Sequence, residues 1–298
     1  MNSPTRTTIV VGVDGSTSAL HAARWAADEA AQRRLRLRLV YANNEFSFGA
    51  TGGLAPPQSF FDAMQVAGFQ LLAEAESAIR EVHPDLDISV DLQTAAPVPS
   101  LLAQTEDALL LVLGSRGTGG FRGMLVGSTA VALVAHGDCP VAVIRGATED
   151  ASPPAEGSVV VGVDGSPTSD AAIATAFDEA SWRRAGLVAV HAWSEYTSDH
   201  VRFQALDEGR EQVEQVENEL LAQRLAGWQE KYPDVKVRRV VTSGRPVERL
   251  LEHATGAQLM VVGSRGNGGF SGMLLGSTSQ ALIRHATCPL MVVRPVES

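Results

Sequence analysis

Lysine is almost missing from this chain: among 24 Lys and Arg residues, only Lys231 and Lys236 are lysines. Neither lies in a glycine-rich segment, so a Walker-type phosphate loop, which needs Gly-Lys-Ser/Thr after a strand, is excluded. Positive charge as a whole is scarce. A formal net charge of −10 leaves no basic face of the kind a nucleic-acid binder needs. Cysteine occurs twice, as Cys139 in "HGDCPVAVIR" and Cys288 in "HATCPLMVVR", which is too few for a disulfide framework. The neighbouring His136 and His285 raise a metal site as an alternative, but a small buried thiol before a last strand is the simpler reading. No apolar run approaches the ~20 residues of a membrane span. The N-terminal "MNSPTRTTIVVGVDGS" enters a strand pattern without the layout of a signal peptide, so a cytoplasmic location is expected.

What the chain does contain, it contains twice. "IVVGVDGSTSALHAARWAADEAAQRR" from Ile9 returns as "VVVGVDGSPTSDAAIATAFDEASWRR" from Val159. "GSRGTGGFRGMLVGST" (Gly114 to Thr129) returns as "GSRGNGGFSGMLLGST" (Gly263 to Thr278), and 14 of 20 residues agree between Leu111–Ala130 and Met260–Ser279. The order of parts is the same in both halves of the 298 residues, so a whole domain is duplicated rather than a short solenoid unit. The seam "GATEDASPPAEGS" is rich in Pro, Gly and acidic residues and suits a linker. The expected division is residues 1–147, a linker at 148–157, and residues 158–298.

Within each half, short continuous apolar runs ("TIVVGV", "LRLVYA", "LLLVLG", "VAVIR") alternate with longer amphipathic stretches. Runs of that kind are strands buried on both faces, as in a parallel sheet. Strand–helix alternation predicts an α/β fold with two tandem doubly wound domains and right-handed crossovers. Ser16 or Ser18 is the candidate N-cap of the first helix.

In such sheets ligands sit beyond the carboxyl ends of the strands, where the strand order reverses. Asp14 and Asp164 close the first strand of each half, and the glycine loop follows the fourth. The carboxylate suits a ribose hydroxyl or an adenine donor, or it is an Asx-turn residue opening the next helix. The loop parses as Gly-x-x-Gly, nine residues, then Gly-Ser: Gly114, Gly117, Gly127, Ser128, and Gly263, Gly266, Gly276, Ser277. A glycine nest presents successive N–H groups to an anion, and the helix start at Gly-Ser-Thr adds its own free N–H groups and dipole. Together they read as a polyphosphate cradle. Direct positive charge has to come from Arg116 and Arg265, with Arg122 in the first half only, where the second has Ser271. Mg²⁺ is the expected supplement. "GVDGSTSA" does not match the G-x-G-x-x-G of dinucleotide sites.

"VVGVDGS" followed downstream by G-x2-G-x9-G-S/T resembles the universal stress protein family, in its ATP-binding subgroup, over nearly all of the chain and twice, as in tandem-domain actinobacterial members. The resemblance implies a five-stranded parallel sheet of order 3-2-1-4-5 in each domain, Rossmann-like and adenine nucleotide alpha hydrolase-like. It also implies one ATP per domain and a pseudo-dimer paired along the last strands (Val141 to Arg145 and Leu290 to Arg294), with homodimers of chains as a further possibility of that mode. Carried over by position, Gly12, Asp14 and Val40 contact adenosine in the first domain. Gly114, Ser115, Arg116, Gly117, Thr118, Gly119 and Gly120 wrap ribose and phosphate, and Gly127, Ser128 and Thr129 hold the phosphates. In the second domain the set is Gly162, Asp164 and Val190, then Gly263, Ser264, Arg265, Gly266, Asn267, Gly268 and Gly269, then Gly276, Ser277 and Thr278.

The halves also depart from each other. "TAAPVPSLL" has Ala95 where "TSGRPVERLL" has Gly244, and the connections after the second strands differ in length and character, as unequal lids would. The glycine loops carry no carboxylate or histidine to position a water. A nucleotide-dependent regulator is the expected function, and a slow ATPase or nucleotidyl-transferring enzyme is the alternative.

Overall fold

Every described β-strand of each half lies in one parallel sheet. The structure is a computed structural model that describes residues 6–43, 57–118, 126–146, 151–193, 208–267 and 274–294. The chain divides into two units, Met1–Pro153 and Pro154–Ser298. The first unit has strands β1 (Thr8–Gly12), β2 (Arg36–Ala42), β3 (Ile88–Gln93), β4 (Ala108–Gly114) and β5 (Val141–Ile144), in the order β3-β2-β1-β4-β5. Its helices are α1 (Thr17–Arg33), α2 (Gln58–Arg80), α3 (Pro97–Thr105) and α4 (Ser128–His136).

The second unit has β6 (Val159–Gly162), β7 (Leu187–Trp193), β8 (Val237–Ser243), β9 (Leu259–Gly263) and β10 (Leu290–Val293), in the order β8-β7-β6-β9-β10. Its helices are α5 (Pro167–Trp182), α6 (Glu208–Leu225), the short α7 (Trp228–Lys231), α8 (Pro246–Ala254) and α9 (Ser277–His285). Both orders read third, second, first, fourth, fifth, as the family resemblance implies. The direction of winding reverses at the first strand, so the ends of β1 and β4, and of β6 and β9, flank a switch-point crevice.

The first helix of each unit shows why the sequence folds this way. Ala19, Ala22, Ala23, Ala26, Ala27 and Ala30 form the buried stripe of α1, at helical spacing. Such small side chains bring the helix axis close to the sheet. A Cβ added at Gly114 would lie 2.7 Å from the Ser18 backbone, and one at Gly263 would lie 2.9 Å from Thr168 Cβ. These two glycines are therefore required by helix–sheet packing itself. Of the two candidate caps, Ser16 is the N-cap: its Oγ accepts from Ala19 N at 3.1 Å, and Ser166 does the same for Ser169 N at 3.2 Å. Ser16→Ala is expected to lower the unfolding free energy of the first domain by about 1 kcal/mol, read as a shifted urea midpoint at constant slope.

Cys139 and Cys288 are buried and not joined in a disulfide, and burial pushes the Cys139 thiol up to about 12. Among the described residues no group of three or more His, Cys, Asp or Glu is placed to hold a metal ion. No described helix is long and apolar enough to cross a membrane. The difference between Ala95 and Gly244 has a conformational counterpart. Gly244 sits at φ +128°, in the region that side chains avoid, whereas Ala95 is not among the positive-φ residues. The lead-ins to α3 and α8 thus follow different backbone paths. The connections read as unequal lids fall largely on residues 44–56 and 194–207, outside the described residues.

Candidate functional site

The site grows from the turn that ends the first strand. Asp14 Oδ1 accepts from Ser16 N at 3.0 Å and from Ser16 Oγ at 2.6 Å, the Asx-turn geometry that a carboxylate adopts at a helix start. Its other oxygen, Oδ2, accepts from Thr118 N at 2.8 Å, in the glycine loop after β4. Asp164 repeats the pattern: Oδ1 accepts from Ser166 N (3.0 Å) and Oγ (2.6 Å), and Oδ2 accepts from Asn267 N at 3.1 Å. The Asx-turn reading and the site reading are therefore both realised by one side chain. Each aspartate is a latch between the β1 or β6 turn and the glycine loop, with one oxygen for each. Gly117 and Gly266 lie against these latches, where an added Cβ would run into Asp14 Oδ2 or Asp164 Oδ2.

The loop also meets the start of the last helix. Ser115 N and Ser264 N continue the ladder to Ile144 O and Val293 O, at 3.1 and 2.8 Å. The carbonyls of the same serines accept from Gly127 N (2.9 Å) and Gly276 N (2.8 Å). The nest and the Gly-Ser-Thr helix start, separated by nine residues in sequence, are thereby joined in each domain. Among the described residues neither α4 nor α9 has a side-chain cap, so the amides of its first turn lack an intrahelical acceptor at the end of the helix nearest the glycine loop. Gly127 has an ordinary extended conformation, φ −70° and ψ 146°, and among the described residues an added Cβ would find nothing nearer than 3.9 Å. Gly276 is alike, with a nearest approach of 3.4 Å. The described residues packed around them do not require glycine at either position.

Gly12 and Val40 are register partners, as are Gly162 and Val190. The Val40 and Val190 side chains are buried, and their carbonyls accept from Val13 N and Val163 N at 2.9 Å. Only their backbones border the crevice. A Cβ at Gly12 would press on Leu113 at 3.0 Å, so that glycine also serves the core. Gly119, Gly120, Gly268 and Gly269, with Arg122 and Ser271, lie outside the described residues. The others named from sequence, Gly114–Thr118, Gly127–Thr129, Gly263–Asn267 and Gly276–Thr278, line the joined loop and helix start.

The family model described as "Universal stress protein family" matches this chain twice, over residues 5–145 and 157–294. The chain belongs to the universal stress protein family. Its relatives include universal stress protein Rv2005c of Mycobacterium tuberculosis, 42% identical over 293 residues, or 96% of each chain. Universal stress protein Rv2623 of the same organism is 39% identical over 292 residues, again 96% of each. The fold is also that of a universal stress protein crystal structure from Archaeoglobus fulgidus, with TM-score 0.68, 19% identity, and coverage of 98% of this chain and 99% of that one.

The two universal stress protein domains are not copies in detail, and several residues at their sites had no motif to announce them. Ser18 and its counterpart Thr168 reach the glycine loop from the first helix. Ser18 Oγ stands 3.4 Å from Ser115 Oγ, and Thr168 Oγ1 donates to Arg265 O. Ser264 Oγ is buried with no hydrogen-bond partner among the described residues, and so is Asn43 Nδ2, just past the end of β2. In the second domain Asn267 Nδ2 donates to Asp164 O at 2.5 Å, a bond the first domain's Thr118 has no amide to make. His191, buried in β7 where the first domain has Tyr41, reaches Val163 O at 2.7 Å. Arg224 of α6 lies over Gly165, where Leu71 lies over Gly15 in the first domain. Helical or strand periodicity alone marks these positions as core or rim. Only the register that brings α6 over the β6 turn gives them a place at the site.

Proposed function

We propose that each universal stress protein domain of this chain holds one ATP across the ends of its first and fourth strands, and that the chain works as a nucleotide-dependent regulator of stress or growth responses. The observation that carries the reading is Gly127 with Gly276: glycines that the described residues around them do not demand, at uncapped helix starts beside a glycine nest. A glycine kept clear of its own fold leaves room for a bound group. The donors around it, amides of the α4 and α9 first turns with the hydroxyls of Ser128, Thr129, Ser277 and Thr278, are those a polyphosphate accepts from. The orphaned hydroxyl of Ser264 is a further donor of this kind. Mg²⁺ accompanies the phosphates on this reading. With Asp14 and Asp164 committed to their turns and loops, it is held chiefly by phosphate oxygens and water, the usual manner of this cation.

Binding is favoured over turnover by the same geometry. Hydrolysis needs a group that positions water in line with the γ-phosphate. The carboxylates at the described part of each cradle are Asp14 and Asp164, whose oxygens already accept two bonds and one bond from backbone and serine. A ligand that orders the loops then biases which shape of the domain is populated, and a partner reads that shape. The test is mass spectrometry of the nucleotide that co-purifies with the full chain. Two ATP per chain is the expected result. ADP with steady phosphate release turns the reading to a slow ATPase, and the absence of any nucleotide under saturating ATP overturns it.

A further inference from the structure

Strands β3 and β8 are edges: among the described strands β3 pairs only with β2, and β8 only with β7. Asp87 O accepts from Leu37 N, and Lys236 O accepts from Leu187 N, both at 2.9 Å, so the two ladders begin alike. Alternation then turns the main-chain groups of Ile88, Val90 and Leu92 in β3 towards the open edge, and those of Val237, Arg239 and Val241 in β8. Neither register is broken by a bulge, and neither strand contains proline. Such an edge is a template for another strand.

From equivalent positions the two edges carry opposite charge. Residues 84–93, "PDLDISVDLQ", hold Asp85, Asp87 and Asp91 with no lysine or arginine. Residues 233–242, "PDVKVRRVVT", hold Lys236, Arg238 and Arg239 against Asp234, which accepts from Ser181 Oγ at 2.7 Å. The three cations are exposed, and among the described residues no ion pair engages any of them. On the acidic edge Asp87 meets Arg36 at 3.0 Å in a largely exposed pair, and Asp91 accepts from the amides of Gln93 and Gln104. Apolar exposure is also concentrated here. Val90 is 43% exposed, and Val66, Phe69 and Val82, on the neighbouring α2 and the turn after it, are each more than half exposed.

We propose that the β3 edge of one chain joins the β8 edge of a second copy of this chain, so that the first-domain sheet of one molecule continues into the second-domain sheet of the next. Charge selects this pairing over the others. Like charges directly opposite destabilise a strand pair, so β3 with β3 sets carboxylates together and β8 with β8 sets arginines together. β3 with β8 sets opposite charges together in either direction. In parallel register Asp87 stands opposite Lys236; in antiparallel register centred on Val90 and Arg239, Asp91 stands opposite Arg238. At a net charge of −10 a basic strand edge is a local exception, and this chain itself supplies an acidic edge of matching position. Each molecule has one edge of each kind, so the contact is head-to-tail and closes into a ring or extends as a row. The inference is independent of the nucleotide reading.

Sedimentation velocity of the full chain over a concentration series, at about 0.05 M and about 0.5 M salt, reads the contact, which is expected to weaken on the order of tenfold at the higher salt. Arg238→Glu with Arg239→Glu is expected to weaken association at least about a hundredfold, and so is Asp87→Lys with Asp91→Lys, because like charges then meet. Mixed in equal amounts, these two double variants are expected to associate again, since each restores the other's missing partner. Val90→Pro removes an outward N–H and no bond to β2, and is expected to prevent joining while circular dichroism stays that of the parent. A wild type that sediments alike at every concentration overturns the proposal and leaves β8 to an acidic partner of another kind. Association that neither charge reversal weakens, that the mixture does not restore, or that a folded Val90→Pro chain retains overturns it as well.

Discussion

A Gly117→Ala chain is expected to retain one nucleotide where the parent retains two, with the first site weakened on the order of 10- to 100-fold, the worth of a hydrogen bond to a charged acceptor. The reason is local. A methyl group at residue 117 runs into Asp14 Oδ2, the oxygen that accepts from Thr118 N at 2.8 Å. Either the latch breaks or the loop shifts outward, and both displace the nest from the uncapped start of α4. The core is untouched, because residue 117 is exposed and lies beyond the end of β4. Global stability should therefore change by less than the roughly 0.5 kcal/mol typical of surface positions. Gly266→Ala should do the same to the second site through Asp164, and the double variant should bind none. Equilibrium dialysis at an ATP concentration just sufficient to fill both sites of the parent gives the count directly. Two nucleotides on a folded Gly117→Ala chain would sink the site assignment.

Removing divalent cations is expected to have the next largest effect, weakening both sites on the order of tenfold to a hundredfold, because two opposite charges in a partly desolvated site interact by several kcal/mol. The chain has little of its own to set against a triphosphate. No lysine lies near either cradle, and the described part of each loop brings one arginine, Arg116 or Arg265. Amide donors and a helix dipole distribute partial charge but do not match the net charge of the ligand. Isothermal titration of the full chain with ATP, with and without a chelator, reads the difference. Affinity that survives chelation unchanged would transfer the counter-charge to the protein and rule out the cation's part.

Much of this architecture is legible without coordinates, for identifiable reasons. Strands such as "IVVG" and "LLLVLG" are near-continuous apolar runs because helices cover both faces of a parallel sheet, and their brevity and Val/Ile content mark them as strands. The duplication is visible because both copies still need the same glycines. Asp14 was legible as a residue with two alternative duties, a turn or a ligand contact. The structure gives it a third arrangement in which the turn duty and the loop duty are simultaneous, since a carboxylate has two oxygens and the crevice places a different donor before each.

The glycines divide in a way no spacing reveals. Gly114 and Gly263 answer to the alanine-faced first helices, Gly117 and Gly266 to the aspartate latches, and Gly127 and Gly276 to no close neighbour among the described residues. All six look alike in a motif. Their separate reasons depend on which atom lies along the missing Cβ direction, a through-space property.

By itself, then, the sequence determined the duplicated α/β domain, its parallel sheet and the two segments that meet at the switch point, because periodicity and turn chemistry are local. Tertiary structure alone decided that Asp14 and Asp164 latch the loops, and that His191, Glu217 and Arg224 gather at the second site and have no like at the first. Those contacts join residues far apart along the chain, such as Asp14 to Thr118 and His191 to Glu217. Strand register and the seat of one helix over a turn bring them together, and neither is written in the spacing of any short segment.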